Sequence, residues 1–388
     1  MKYIIKTILG YLLIPICKVL NKIIKFRFYH MYSSRIGHLT MQFDTVYKLV
    51  ERDTFILVST EKKVANNFIL NLYKRQERVL ISQIFRYCFS LIRHVNPKSE
   101  FIITLDEYDP PFSFNLHKNS LIKFPNYSEA KLEKIFSNYN LNRNFVGLHA
   151  RNDLYLKNES LLNQDKNSHV SRNMDFKDYL LAIKYLKKKY SIVKLGKTYD
   201  EETPKTFEDK FGSKIFTSQD FNNNQEIDYL LNVYSKYNIM TASGLDKLSA
   251  IIKKNIVYVN FIPFNLGNLS YSSPNSIVIP KKIFDKNKGR LLSFRENLSI
   301  NFSIHTSECP YKKNNLEVIN NTPEEILNIV IEMEEKLAGN NQDDQKKINE
   351  IFWKNITDEN NYDKINYLKD KLKLSVSSSF LKNNQNLF

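Results

Sequence analysis

The segment Phe145-Val146-Gly147-Leu148-His149-Ala150-Arg151-Asn152-Asp153 joins an apolar run to an imidazole, a guanidinium and a carboxylate. If Phe145–His149 is a buried strand, its end delivers these groups to one small volume. Period-two alternation puts them on one side if the strand continues. Open α/β sheets hold ligands at the carboxyl ends of their strands. A guanidinium matches phosphate oxygens through two parallel hydrogen bonds, so Arg151 beside His149 suits a phosphate-bearing ligand and points to sugar–nucleotide chemistry. The plainer alternative is an internal Arg151–Asp153 ion pair.

Glycine is scarce, 9 in 388 residues, so its placement is informative. Gly37, Gly147, Gly196 and Gly244 fall inside or just past expected strands, where glycine permits positive φ and close approach of a ligand. Ser243-Gly244-Leu245-Asp246 opens a helix whose first N–H groups suit a pyrophosphate. Ordinary capping by Ser243 and Asp246 is the alternative. Arg35-Ile36-Gly37-His38 occupies the first strand–helix turn. His38 there can serve as general base on a sugar hydroxyl, or else simply cap or pack against its neighbours. On the polar loop His169-Val170-Ser171-Arg172-Asn173, Arg172 offers a second phosphate-directed charge and Asn173 an amide, unless the loop is merely solvated.

The chain has no Walker-type phosphate loop, no dinucleotide fingerprint, no zinc-protease motif and no nucleophile elbow. It also lacks an Asp-x-Asp pair, so Arg, Lys and helix ends, rather than a chelated metal, would balance the phosphate charge. Neither a metal site nor a cofactor is expected; the nucleotide sugar would be a substrate.

Elements must position these groups. Strands are expected at Lys25–Tyr32, Thr54–Ser59 and Phe101–Leu105, with helices at Leu39–Val50, Ala65–Arg75, Ile81–Val95 and Tyr127–Tyr139. An Asp109-Pro110-Pro111 turn follows the third strand. Further strands are expected at Phe145–His149, Ser191–Leu195, Lys214–Phe216, Asn238–Thr241 and Ile256–Phe261, alternating with helices at Phe176–Lys189, Gln225–Lys236 and Leu245–Lys253. Short, apolar, non-alternating strands between helices read as a doubly wound parallel sheet. Thr322-Pro323-Glu324-Glu325 opens a helix with a capping box, and Gly339 closes it. The tail beyond Ser375 is polar and expected to fray.

The length sets a prior of two domains. With 57 Lys and Arg against 41 Asp and Glu, the net charge is +16, which favours anionic partners without choosing among nucleotide, phospholipid and nucleic acid. Cys17, Cys88 and Cys309 have no metal-like spacing, and a reducing compartment is the simpler reading. Residues 1–24 are largely apolar, but Lys6, Lys18 and Lys22 interrupt them and Pro15 is expected to break the helix. They make a poor membrane span, and no small-residue cleavage site follows. Lys18, Lys22 and Lys25 are expected on one helical face, as in an interfacial helix on an anionic leaflet. A helix packed on the protein's own surface is the alternative.

Taken in order, Arg35-Ile36-Gly37-His38-Leu39, Val146 to Asp153, Ser171-Arg172-Asn173 with Tyr179, Ser243-Gly244, Asn260-Phe261-Ile262-Pro263 and Pro323-Glu324-Glu325-Ile326 resemble a family of bacterial glycosyltransferases from surface-polysaccharide (O-antigen and capsule) gene clusters. The likeness runs from about Arg35 to Trp353. It implies a GT-B-like α/β fold, in which two Rossmann-like doubly wound domains face each other across a cleft, with C-terminal helices. The implied division is residues 1–25 as a membrane-associating helix, 26–140 as acceptor domain, 141–320 as nucleotide-sugar domain and 321–388 as helical extension and tail. The His-x-Arg element is similar to that of GDP-fucose-using fucosyltransferases, where the Arg contacts the donor diphosphate, a role carried by analogy to Arg151. The chain departs from the family pattern at Asn152, which precedes Asp153, and at Thr40-Met41-Gln42-Phe43-Asp44, where acidic residues are usual.

The expectation is a glycosyltransferase, peripheral on the inner face of the cytoplasmic membrane, acting on a nucleotide-sugar donor and a saccharide or lipid-linked acceptor. His38, with His149 and Asp153 as competitors, would be catalytic. Arg35, Gly37, Arg151, Arg172, Asn173, Ser243 and Gly244 would bind substrate. A basic nucleic-acid-binding protein is the alternative from net charge and aromatic content, though no basic stripe or RNA-binding signature supports it. A non-catalytic scaffold on the same fold is a third.

Overall fold

Runs of buried aliphatic residues set the architecture, because a strand covered on both faces has no polar side to present. The computed structural model describes residues 2–105, 117–158, 170–300, 302, 309–340 and 343–388. The Asp109-Pro110-Pro111 turn and His169 lie outside the described residues. The chain forms two units, Met1–Asn126 and Tyr127–Phe388.

In the first unit, β1 (Phe26–Met31), β2 (Phe55–Thr60), β3 (Val79–Ile81) and β4 (Ile102–Ile103) make a four-stranded parallel sheet in the order β3-β2-β1-β4. The sequence gives no sign of β3, which is three residues long and lies at the start of the expected Ile81–Val95 helix. Helices α1 (Lys2–Asn21), α2 (Phe43–Leu49), α3 (Asn67–Lys74) and α4 (Ile84–Val95) accompany the sheet. Pro15 does not break α1, which runs through it. A proline removes one backbone donor, and the packing of α1 on α4 offsets that loss. Gly10 makes the packing possible: a Cβ there would lie 2.7 Å from the Leu91 carbonyl oxygen and 2.8 Å from Val95. Cys17 joins Phe26, Phe28, Phe89, Ile92 and Phe101 in the buried core, and Thr7 hydrogen bonds His94 at 3.0 Å. Lys25 lies beyond the end of α1, paired with Asp53 at 2.6 Å, so it does not share a helical face with Lys18 and Lys22.

The second unit is built on a six-stranded parallel sheet in the order β13-β9-β8-β7-β5-β6. Its strands are β5 (Phe145–His149), β6 (Ser191–Lys194), β7 (Asn238–Met240), β8 (Ile256–Phe261), β9 (Ile277–Pro280) and β13 (Ser375–Val376). Every residue of β8 is buried. A separate antiparallel sheet of β10 (Lys282–Asp285), β11 (Arg290–Leu291) and β12 (Leu316–Ile319) was not expected. Lys214–Phe216, expected as a strand, contributes only the single bridge Val193–Phe216.

Helices α5 (Glu129–Ser137), α6 (Leu180–Leu186), α7 (Gln225–Tyr234), α8 (Asp246–Ile251) and α9 (Pro323–Leu337) belong to this unit. The Thr322–Glu325 capping box forms as the sequence indicates, and Gly339 follows with φ 75°. Of the four glycines singled out, only Gly196 has positive φ (90°); Gly37 is helical at φ −65°. Gly147 is needed for packing, since a Cβ there would collide with Asn238 Oδ1 and lie 2.5 Å from Leu195. Asn238 anchors a buried network: its amide donates to the Asn232 carbonyl (3.1 Å) and to Ser249 Oγ (2.9 Å), and Ser235 Oγ donates to its oxygen (2.8 Å).

The tail does not fray. Beyond β13, helix α10 (Ser378–Asn383) buries Phe380 and Leu381. Glu332 of α9 accepts from Ser377 Oγ and from the Ser378 and Ser379 amides at 2.8–2.9 Å. These aromatic and carboxylate anchors outweigh the polar composition. Phe380→Ala should therefore destabilise the protein by about 3–5 kcal/mol, as removal of a core aromatic does. Urea unfolding would read this, whereas a frayed tail would give no change.

Candidate functional site

In the six-stranded sheet, β5 lies between β6 and β7, so the chain leaves β5 to one side and later returns on the other. The carboxyl ends of β5 and β7 are thus a topological switch point, where such sheets open a ligand crevice. The Arg151 backbone N–H donates to Thr241 Oγ1 at 3.0 Å and ties the two strand ends together. Arg151 Nη1 bonds Asp153 Oδ1 at 3.3 Å and also Asn173 Oδ1, while Asn173 Nδ2 donates to Asp153 Oδ2 at 2.7 Å. The internal ion pair is therefore present, closed into a ring by Asn173.

Arg172 reaches the same edge, its Nη2 donating to the Ala242 carbonyl at 2.9 Å, beside Ser243. Lys281 follows β9 and is buried. Its Nζ donates to the carbonyls of Ser171 (2.7 Å) and Asn173 (2.8 Å), clamping the loop that carries Arg172 and Asn173. Burial drags its ammonium down to about 8, with Asp178 opposing and Arg151 adding to the fall. Arg151, Arg172 and Lys281 thus converge from three places in the sequence, with Asp153 and Asp178 as their neighbouring carboxylates.

His149 does not join them. The strand ends at His149, so Arg151 and Asp153 do not continue its alternation, which corrects the one-sided arrangement expected from the sequence. Its Nδ1 donates to the Leu195 carbonyl at 3.2 Å, bracing β5 against the end of β6. Burial pushes the imidazole down to about 4; the Leu195 bond opposes this, and Lys194 and Arg151 add to it. The ring is neutral at pH 7, with its Nδ1 proton assigned from the carbonyl acceptor.

Ser243 and Asp246 bond across the turn ahead of α8, but the cap residue is Leu245, which makes no side-chain cap bond, so Ser243 is not the cap expected from the sequence. Asp246 Oδ1 accepts the Ser243 N–H at 3.1 Å and Ser243 Oγ accepts the Leu245 N–H at 3.2 Å. Gly244 lies in this turn.

Arg35, Gly37 and His38 belong to the first unit, in the turn after β1. His38 begins a π-helical turn, His38–Gln42, that runs into α2, and its ring meets Tyr32 edge-on at 6.1 Å. Asp44, the acidic residue of that motif, is buried on α2, pairs with Lys48 at 2.7 Å and accepts from Ser120.

A cavity of about 470 Å³ borders the Arg151 cluster, its wall including Ala150, Asn152, Asn173, Glu201, Glu202 and Lys210. Asn152, noted above as a departure from the family pattern, donates to Glu202 Oε1 at 2.9 Å. The other Glu202 oxygen pairs with buried Lys194, whose ammonium is lowered by burial and raised by Glu202. Sequence reasoning missed Lys194, Glu202 and Lys281 as site residues; only Asn152 carried a signal. Among the described residues no cluster of His, Cys, Asp and Glu is arranged to hold a metal ion.

No protein-family profile matches the chain, and no curated protein matches it in sequence. Solved structures do match. The glycosyl transferase family 9 protein from Veillonella parvula DSM 2008 aligns with 79% of this chain and 98% of its own, at 10% identity and TM-score 0.50. The fold is GT-B. E. coli ADP-heptose LPS heptosyltransferase II is 12% identical over 79% of this chain and 99% of its own, with TM-score 0.45. E. coli heptosyltransferase WaaC with ADP is 9% identical over 66% of this chain and 93% of its own, with TM-score 0.41. Two α/β units, each built on a parallel sheet, are the fold class expected from the sequence.

The state of His149 has a pH consequence. Its folded pKa of about 4 lies below the ordinary 6.5, so between these values the unfolded chain binds more protons and acid favours unfolding. From pH 7 to pH 5 wild type should lose about 2 kcal/mol through this group. His149→Gln, which retains a donor for Leu195, should show a correspondingly flatter loss in denaturant titrations at the two pH values.

Proposed function

We propose that this GT-B chain is a glycosyltransferase that moves a sugar from a nucleotide-diphosphate donor to a hydroxyl of a saccharide, as in surface-polysaccharide assembly on a lipid-linked acceptor. The observation that carries the reading is the convergence of Arg151, Arg172 and Lys281 at the β5/β7 switch point, beside a cavity of about 470 Å³. That volume is in the range of small-ligand sites. The carboxylate of Glu201 on its wall suits sugar or ribose hydroxyls, which donate to it. The cations suit a diphosphate.

In this reading Arg151 and Arg172 neutralise charge as the diphosphate departs, a preorganised electrostatic contribution of the kind that dominates many enzymes. Lys281 holds their loop in place. The base is assigned to His38. Asp153 has both oxygens engaged by Arg151 and Asn173, and His149 is too weakly basic at about 4. The acidic residue of the first motif, Asp44, is committed to Lys48.

Thermal-shift titration with UDP, GDP, CMP and ADP should give a selective rise for one base, because a ligand that binds only the native state stabilises it. Arg151→Ala should abolish that rise and lower turnover by about 10²-fold or more. Arg151→Gln keeps an uncharged hydrogen-bond donor at this position, and should lose binding while folding normally. A lowered melting temperature with an unchanged nucleotide response would make Arg151 a structural brace only and defeat the assignment. Lys281→Met should weaken nucleotide binding about tenfold, the scale of one lost charge-assisted contact.

A further inference from the structure

One surface of the first unit is used by none of this chemistry. The side of α1 opposite α4 carries exposed Ile8, Leu12, Ile16, Val19 and Leu20, each 50% or more open. At 3.6 residues per turn the α1 residues form one arc, with Lys2 and Lys6 along one border and Lys18 and Lys22 along the other. No Asp or Glu occurs between Lys2 and Phe43, nor anywhere in α4, which instead contributes Arg86 and Arg93. Glu51 and Asp53, at the foot of α1, face Lys25.

We propose that this face docks on an anionic phospholipid surface, with α1 lying flat while its inner side stays on α4. Exposed apolar residues bordered by cations, with no interspersed carboxylates, are complementary to acyl chains beneath negative headgroups. Two other occupants fit less well. A second copy would bring two identical lysine borders together. In a membrane-spanning arrangement, α1 is long and apolar enough by composition, but it would have to leave α4, stripping Cys17 from its buried cluster and opening the close Gly10 contact. This inference is independent of the sugar-transfer reading.

The test is flotation of the 388-residue chain with vesicles of phosphatidylcholine alone, or mixed with phosphatidylglycerol, at low and high salt. The protein should float with the anionic vesicles at least tenfold better than with neutral ones, and high salt should weaken this. Leu12→Asp/Ile16→Asp should remove the binding through the apolar side. Lys6→Glu/Lys18→Glu/Lys22→Glu should remove it through charge while leaving the apolar arc intact. Both sets alter outward-facing groups, so melting temperatures should stay near wild type, and the charge variant still decides the matter if the aspartates disturb folding. Failure of folded wild type to float would overturn the proposal. So would equal, salt-resistant and carbonate-resistant association with both vesicle types, which would mean a spanning helix. A lipid-free dimer dispersed by Leu12→Asp would also overturn it, making a second copy the occupant.

Discussion

The buried amide network around Asn238 underlies the site. Asn238 links Asn232, Ser235 and Ser249 beneath β7, and it fits against β5 only because residue 147 is glycine. Polar groups sealed from water must be satisfied together, which leaves few alternative packings. The register of β5 against β7 follows from that fit, and with it the point where Arg151 meets Thr241. Arg172 and Lys281 are then brought in by loops whose carbonyls and side chains close on that junction. The convergence of these cations beside the cavity is therefore a consequence of how two strands are fastened at their opposite ends.

Much of this was legible in the chain. Phe145–His149 and Ile256–Phe261 form strands with the expected bounds because each is a short apolar run buried on both faces, a local signal. The Thr322 helix start was equally local, since a capping box lies within four residues. What escaped depended on distant partners. β13 is two residues long and exists because β9 offers it an edge. The last helix holds because Glu332 and buried aromatics receive it, although its composition reads as polar. Lys281 looks like any lysine beside a strand; its role is set by carbonyls of Ser171 and Asn173 far away in the sequence. The scarcity of glycine marks Gly147 as important, but its task is packing rather than backbone conformation.

Charge is handled differently in two parts of the second unit. Lys194 is buried with a dedicated carboxylate, Glu202, and is neutralised within the fold. Lys281 is buried with carbonyls as its acceptors and only a more distant carboxylate, so its positive charge remains poorly compensated and its proton is held less firmly. Burying a cation without a partner is costly. The two lysines thus differ in kind: Lys194 is held by an ion pair, Lys281 by the carbonyls of the loop it clamps.

The position of β13 bears on how the molecule is made. It pairs with the outer edge of β9 although it comes much later in the sequence. Until Ser375 and Val376 pair with it, the hydrogen-bonding groups of that edge stay unsatisfied. An unprotected parallel edge is a template for pairing with other chains. β13 thus seals that edge, and a polypeptide cut before Ser375 would be prone to intermolecular association even with most of its core assembled.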